Sequence, residues 1–316
     1  SSPGRKAGIL YTKGWTKGMT GVLPVDKPEG FTSFDVVAKL RGLSHTRKIG
    51  HSGTLDPMAT GVLPLFFDSA TKACAVLPEE DKRYEAGVRF GLTTDTEDVT
   101  GKVIKQTESH VTEEEFRAVL GSFIGEQLQL PPMYSAVKVG GSPLYKAARR
   151  GEEIPREAKK IVVYSLELLA FNGEEQTARI DVSCGKGTYV RTLIADMGAK
   201  LGCGAAMSSL RRTQAAGFTL DDCYTLSAIA GLASEQKLEA ALLPLERIFA
   251  SLPELILNDR DAGLYCNGVP LDLAKRGWEP MEGDVAVKDG DGRLLGISVM
   301  DAETGQLRLR KMFFER

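Results

Sequence analysis

Apolar and polar positions alternate along this chain with a period that changes from segment to segment. From Tyr84 to Gly91, the apolar Tyr84, Ala86, Val88 and Phe90 are interleaved with Glu85, Gly87 and Arg89. A period of two predicts a half-buried strand. Gly61 through Phe67 is apolar without alternation, which predicts a strand covered on both faces. Helical spacing appears after Thr32-Ser33-Phe34-Asp35, a capping box, with Phe34, Val37 and Leu40 on one face and an end near Gly42. A second box, Thr112-Glu113-Glu114-Glu115, leads into the stripe Phe116, Val119, Leu120 and Phe123. Strands are expected at about 161–170 and 178–184. Gly185-Lys186-Gly187 then turns the chain into a helix with Leu193, Ile194 and Met197 facing inward and Gly202 at its C-terminal end. Another helix is expected to begin near Ser227.

Two segments break this texture. Residues 131–150 open on Pro131-Pro132, turn at Gly140-Gly141, and carry Tyr134, Tyr145 and clustered bases. They make a poor core element and read as an exposed insertion reaching to about 155. Past Ser251 the chain becomes short strands and turns, at about 255–257, 285–288, 294–300 and 307–313, with a short helix near 259–267. That predicts a small β-barrel of about 65 residues, marginal alone but adequate when docked. The boundary is placed near 250, and no internal repeat is visible.

A length of 316 residues suits two domains, and 42% hydrophobic with 26% charged residues is an ordinary globular composition. Cys74, Cys184, Cys203, Cys223 and Cys266 are odd in number, widely spaced and contain no CxxC pair. Neither a zinc site nor a disulfide framework is indicated, and a reducing, cytoplasmic setting is expected. The longest apolar runs are strand length, far short of a membrane span. Residues 1–18 are polar and basic without an acid. They read as an appended leader or a disordered stretch, with a basic RNA-binding arm as the alternative. The net charge is only −2, but the charge is unevenly spread. Residues 36–55 hold Lys39, Arg41, Arg47 and Lys48 with no acid, and 138–160 hold seven bases against three acids. A polyanion needs such local positive potential rather than a basic whole; solvated surface faces are the plain alternative.

Chemistry concentrates in His51-Ser52-Gly53-Thr54-Leu55-Asp56-Pro57. A carboxylate on a glycine-flanked turn, stopped by proline, is held off the regular ladder and can be aimed into a cleft. Asp-Pro is also a common turn pair, so Asp56 needs company to count as a nucleophile. A working carboxylate needs a cation to keep it charged, and Arg191, in Gly187-Thr188-Tyr189-Val190-Arg191, sits at a strand-to-helix turn from which it could reach. The Gly185–Thr188 segment fails the phosphate-loop spacing, since position 180 is Ile and Lys186 lies between the glycines. Asp289-Gly290-Asp291-Gly292 lacks the length and terminal Glu of a calcium loop and is a hairpin turn. His51 is a loop-ordering or RNA-contacting group rather than a metal ligand, because no acid cluster accompanies it. Tyr84 is either a core tyrosine or a ring on which a base stacks.

Taken together these motifs resemble the TruB family of tRNA pseudouridine synthases. Val25-Asp26-Lys27-Pro28-Glu29-Gly30 with Thr32-Ser33 resembles its first motif, and Lys48 through Leu63 its catalytic motif. Lys82-Arg83-Tyr84 supplies the family tyrosine, Gly187 through Arg191 the third motif, and Ser209-Leu210-Arg211-Arg212-Thr213 the segment with a pocket leucine. Pro131 to Gly151 is similar to the bacterial RNA-binding thumb, while the last 65 residues or so resemble a PUA-type barrel more weakly. The resemblance implies an α+β fold with a mixed, largely antiparallel central sheet in residues 19–250 and a PUA-like β-barrel at 251–316. It implies isomerisation of uridine to pseudouridine at T-loop position 55 of tRNA, by base flipping and covalent catalysis. Asp56, Tyr84 and Arg191 are the expected catalytic residues; His51, Tyr189, Leu210, Lys27, Lys138 and Arg149 are expected at the substrate. No cofactor or metal is required by the reaction. The expected partner is the tRNA T-arm, bound by a monomer with no guide RNA. A guide-dependent synthase and a non-catalytic RNA-binding protein are the alternatives, and an RNA-folding role could coexist with catalysis.

Overall fold

The computed structural model describes residues 19–313; residues 1–18, for which a leader was expected, lie outside the described residues. One long sheet organises most of the chain. Its strands run in the order Tyr224–Thr225, Gly21–Lys27, Thr60–Phe67, Ala205–Ala215, Lys82–Phe90, Thr177–Cys184, Lys159–Asn172 and Gly125–Gln129. Along this path two pairings are parallel, at Gly21–Lys27 with Tyr224–Thr225 and at Thr60–Phe67 with Ala205–Ala215; the rest are antiparallel. This is the mixed, largely antiparallel sheet expected.

Burial explains the strand patterns. Thr60–Phe67 is covered on both faces: Leu63, Leu65 and Phe67 join one apolar cluster, Val62 and Phe66 another. Its unbroken apolar run follows, because neither face meets water. The first cluster lies under three helices, Ser33–Ser44, Glu113–Ser122 and Val190–Lys200. The second draws Ile248, Phe249, Ile297 and Phe313 onto the opposite face, so the C-terminal segment docks against the sheet. That segment forms a five-stranded sheet in the order Glu254–Ile256, Asp284–Lys288, Leu294–Asp301, Gln306–Met312 and Leu271–Asp272, whose end strands do not pair with each other. The short Leu271–Asp272 strand was not foreseen, being two residues long.

Both capping boxes form, at Thr32 with Asp35 and at Thr112 with Glu115. The first helix buries Val37 and Leu40 as expected but turns Phe34 outward. Ser33, Val36, Val37 and Leu40 are buried, and Phe34 is 65% exposed. The cause is polar: the Ser33 hydroxyl accepts from the Leu55 amide at 2.9 Å, which rotates Phe34 outward. The helix is thereby phased by the loop that carries Asp56 rather than by its largest apolar residue.

The parallel contact between Thr60–Phe67 and Ala205–Ala215 depends on Gly61. Its φ is +102°, and a Cβ there would lie 2.1 Å from the Arg212 carbonyl oxygen and 2.8 Å from the Arg212 nitrogen. Gly61→Ala is expected to cost at least ~2 kcal/mol, from strained backbone and a backbone clash that cannot relax by a rotamer change. Chemical denaturation checks it; an unchanged midpoint would contradict the close approach.

Candidate active site

The loop that carries Asp56 joins Ile49–His51 to Thr60–Phe67, which pair antiparallel from Ile49↔Phe67 to His51↔Leu65. Four groups hold the loop from below. Ser33 binds both the amide and the carbonyl of Leu55, and the Gly30 amide donates to the Pro57 carbonyl at 2.8 Å. Lys27 donates to the carbonyls of Phe31, Pro28 and Pro57 at 2.5, 2.9 and 3.3 Å. Arg212 donates to the Gly53 carbonyl at 3.0 Å. With Leu55 buried, the next side chain, Asp56, is turned toward the pocket.

Arg191 comes to meet it. The arginine lies in the first turn of the Val190–Lys200 helix, whose N-cap, Tyr189, has no side-chain cap of its own. Buried Gln129 takes over by accepting from the Tyr189 amide at 2.8 Å and donating to its carbonyl at 3.0 Å. Arg191 Nε then lies 2.9 Å from Asp56 Oδ2. The remaining donors are used elsewhere. Nη1 donates to the Thr96 carbonyl at 2.7 Å and lies 3.7 Å from Asp98 Oδ2, while Nη2 donates to the Tyr134 carbonyl at 2.9 Å. With Nη1 and Nη2 donating to backbone carbonyls, Nε is the nitrogen that holds Asp56 at the cavity wall.

The electrostatics differ from expectation. Arg191 and, more weakly, Lys27 pull the Asp56 carboxyl down, as a neighbouring cation should. Burial and the nearby Asp98 push it up, and the net direction is upward. Arg191 thus offsets a desolvation cost instead of producing an unusually acidic carboxyl. Lys27 is itself pushed down to about 8 by burial.

Asp56 opens into a cavity of about 710 Å³ lined also by Tyr84, Tyr189, Arg191 and Leu210, with Tyr145 and Arg149 of the insertion among the lining residues. The volume falls in the range of small-molecule pockets, enough for one flipped nucleotide. The structure therefore brings together Asp56, Tyr84, Arg191, Tyr189, Leu210 and Arg149. Three residues expected at the substrate lie elsewhere. Lys27 is fully buried with its ammonium committed to carbonyls, so it braces the loop from behind. His51 sits on the strand before the loop with Nδ1 buried and unpartnered among the described residues. Lys138 is exposed on a short hairpin of the insertion, outside the cavity lining. Asp98 and Gln129 belong to the site or its support and carried no motif that singled them out, while Lys82, which lines the cavity, stood in the tyrosine motif without a role of its own. Asp98 could be noticed only through its turn, where it accepts from Thr96 Oγ1 and the Thr100 amide at 2.9 Å each.

Comparison with known proteins identifies the family. Residues 41–190 match the TruB family pseudouridylate synthase N-terminal domain, and residues 191–250 match the tRNA pseudouridylate synthase B C-terminal domain. The chain is 42% identical over 297 residues to tRNA pseudouridine synthase B of Stutzerimonas stutzeri (strain A1501), covering 93% of this chain and 95% of that protein. It is 44% identical over 281 residues to the protein of that name from Aromatoleum aromaticum (strain DSM 19018 / LMG 30748 / EbN1), with 89% of each covered. Among solved structures, a chain of a Cbf5–Nop10–Gar1 complex superposes with a TM-score of 0.73 at 27% identity, covering 94% of this chain and 86% of that one. Fold and family match together define an RNA pseudouridine synthase. The chain belongs to the TruB family, whose members isomerise uridine to pseudouridine in tRNA.

The charge balance makes a signed prediction. An attacking Asp56 must be ionised, so the rate is present above its pKa and lost below it. Asp98 raises that pKa. Asp98→Asn, which keeps an acceptor for Thr96 and Thr100, is expected to move the acidic limb of the single-turnover rate to lower pH. A limb that stays in place or moves upward would contradict this arrangement of charges.

Proposed function

We propose that the chain acts on the T-loop uridine of tRNA conventionally numbered 55, as a stand-alone cytoplasmic monomer without guide RNA, using Asp56 as covalent catalyst. The observation that carries this reading is the Asp56–Arg191 contact of 2.9 Å in a cavity walled by Tyr84, Tyr189 and Leu210. The N1–C1′ bond must break, the uracil must turn, and C5 must join C1′ with loss of the C5 proton. Asp56 supplies the attacking carboxylate oxygen, and Arg191 holds it charged and placed. The target base is stacked inside a folded loop, so flipping it out costs a few kcal/mol. Stacking against an aromatic ring contributes ~1–3 kcal/mol per base, which is the role given to Tyr84 and Tyr189. No helix among the described residues is long and apolar enough to cross a membrane.

The insertion supports action without a guide. Tyr145 and Arg149 lie on the cavity, and the Arg149 guanidinium stands 5.4 Å from the Tyr145 ring centroid, giving one cationic and one stacking surface at the entrance. A T-loop is recognised by shape, stacking and phosphate contacts more than by a groove code. The bases at 36–55 and 138–160, Lys138 included, are placed at its backbone, and His51 is assigned to propping the opened loop. Residues 251–316 are taken as a PUA-like module that holds another part of the tRNA.

The test is release of tritium from a tRNA transcript labelled at uridine C5, with no guide and no added metal. Joining C5 to the sugar must expel that label. Wild type is expected to release it, and Asp56→Asn to bind the tRNA without release. A wild type that binds but releases nothing until a guide RNA is added would overturn the stand-alone reading, and release by Asp56→Asn would remove Asp56 from the covalent step.

A further inference from the structure

The largest fully buried side chain in the described residues is an arginine outside the nucleophile pair, Arg212. Its strand position explains its reach. Arg212 is paired with Gly61 on one side and Tyr84 on the other, so it lies between the strand that leaves the nucleophile loop and the strand that carries the tyrosine. Nε donates to the Val62 carbonyl at 2.7 Å and Nη2 to the Gly53 carbonyl at 3.0 Å. The guanidinium therefore ties the loop at two points flanking Asp56. Nη1 is buried and has no acceptor among the described residues.

A buried cation with a donor unused is costly, and an apolar side chain of similar size would serve packing better. The charge also burdens its surroundings: it helps to push Lys27, His51 and Lys82 down. A group retained at that cost calls for a use. The nearest candidate for that donor is Tyr84: it is the direct cross-strand partner of Arg212, so the two side chains leave the sheet on the same face, and both line the cavity. Arginine can only donate, whereas a phenol can donate and accept. Any hydrogen bond between them must leave the Tyr84 oxygen as acceptor, and its own proton must then point elsewhere.

We propose that Arg212 is a positioning residue for the isomerisation: it donates to the Tyr84 phenol oxygen and thereby turns the Tyr84 O–H toward the flipped uridine, to which Tyr84 gives a hydrogen bond. The inference rests on the reading of this cavity as the uridine site. It goes further in giving Tyr84 a directed donor as well as a stacking face, and in coupling that donor to the loop that carries Asp56. Burial pushes the Tyr84 phenol up more strongly than Arg212 pulls it down, so the proton needed for donation is retained.

The experiment is a double-mutant cycle in the C5-tritium assay under single turnover, with tRNA affinity and thermal stability measured for each variant. Tyr84→Phe keeps the ring and removes the oxygen. It is expected to lower the rate by about 10²-fold while leaving tRNA affinity within about twofold, as for loss of one oriented donor. Arg212→Lys keeps charge but loses the fork, and is expected to lower the rate by about tenfold in the wild-type background. In the Tyr84→Phe background the same change should cost less than about threefold, since its target is gone. Equal losses in the two backgrounds would reduce Arg212 to a brace of the fold and overturn the proposal. Full activity in Tyr84→Phe would overturn it too, even if Arg212→Lys failed to fold. A wild type that forms no pseudouridine would overturn the reading of the site and this inference with it; an active wild type with either of the preceding results overturns the inference alone.

Discussion

The structure turns on one desolvated cation. The Arg191 guanidinium is almost wholly buried, and it is satisfied only when three separate segments meet around it: the nucleophile loop through Asp56, the 94–101 turn through the Thr96 carbonyl and Asp98, and the insertion through the Tyr134 carbonyl. Removing one partner of a buried ion pair typically costs ~3–5 kcal/mol, because the other charge is left uncompensated. The arrangement thus penalises any conformation in which Asp56 swings away. It does little for stability as such, since an apolar pair of similar size would often hold the fold as well. What it secures is geometry: a carboxylate about one-third exposed, held by Arg191 at the wall of the cavity.

The fold delivers this geometry through strand register more than through loop chemistry. Gly61 lets the Ala205–Ala215 strand approach closely enough for Arg212 to span from the loop to Tyr84. The Leu210 side chain of that strand faces the cavity, while buried Lys27 and Ser33 brace the loop from the opposite side. The nucleophile loop is irregular in backbone yet clamped at Gly53, Leu55 and Pro57. Such clamping is what an enzyme needs if placement, rather than an imported cofactor, is to supply much of the rate.

How much of this was legible in the sequence follows the range of each interaction. Tyr84, Ala86, Val88 and Phe90 announced their strand, and Thr112 with Glu115 announced a helix start, because both signals are local. Asp56 and Arg191 could be offered as a pair because a working carboxylate needs a cation and Arg191 stands at a strand-to-helix turn, and the family resemblance strengthened the pairing; spacing alone says nothing across the long stretch of chain between positions 56 and 191. Phe34 misled because a side-chain hydrogen bond between Ser33 and Leu55 outweighed apolar periodicity in phasing the helix. Lys27 was expected at the substrate from its motif, and its burial under three carbonyls appears only in three dimensions. Asp98 and Gln129 act through contacts with Arg191 and the Tyr189 backbone that only the sheet brings about.

The most direct test of the central pairing is a carbon-13 NMR titration of the Asp56 carboxyl in the free enzyme and in Arg191→Gln. The account predicts that Asp56 titrates above the ordinary aspartate range in wild type, because burial outweighs the arginine, and that it moves higher still when the arginine's charge is removed. A carboxyl that titrates at or below the ordinary range, or that does not respond to the loss of Arg191, would contradict it.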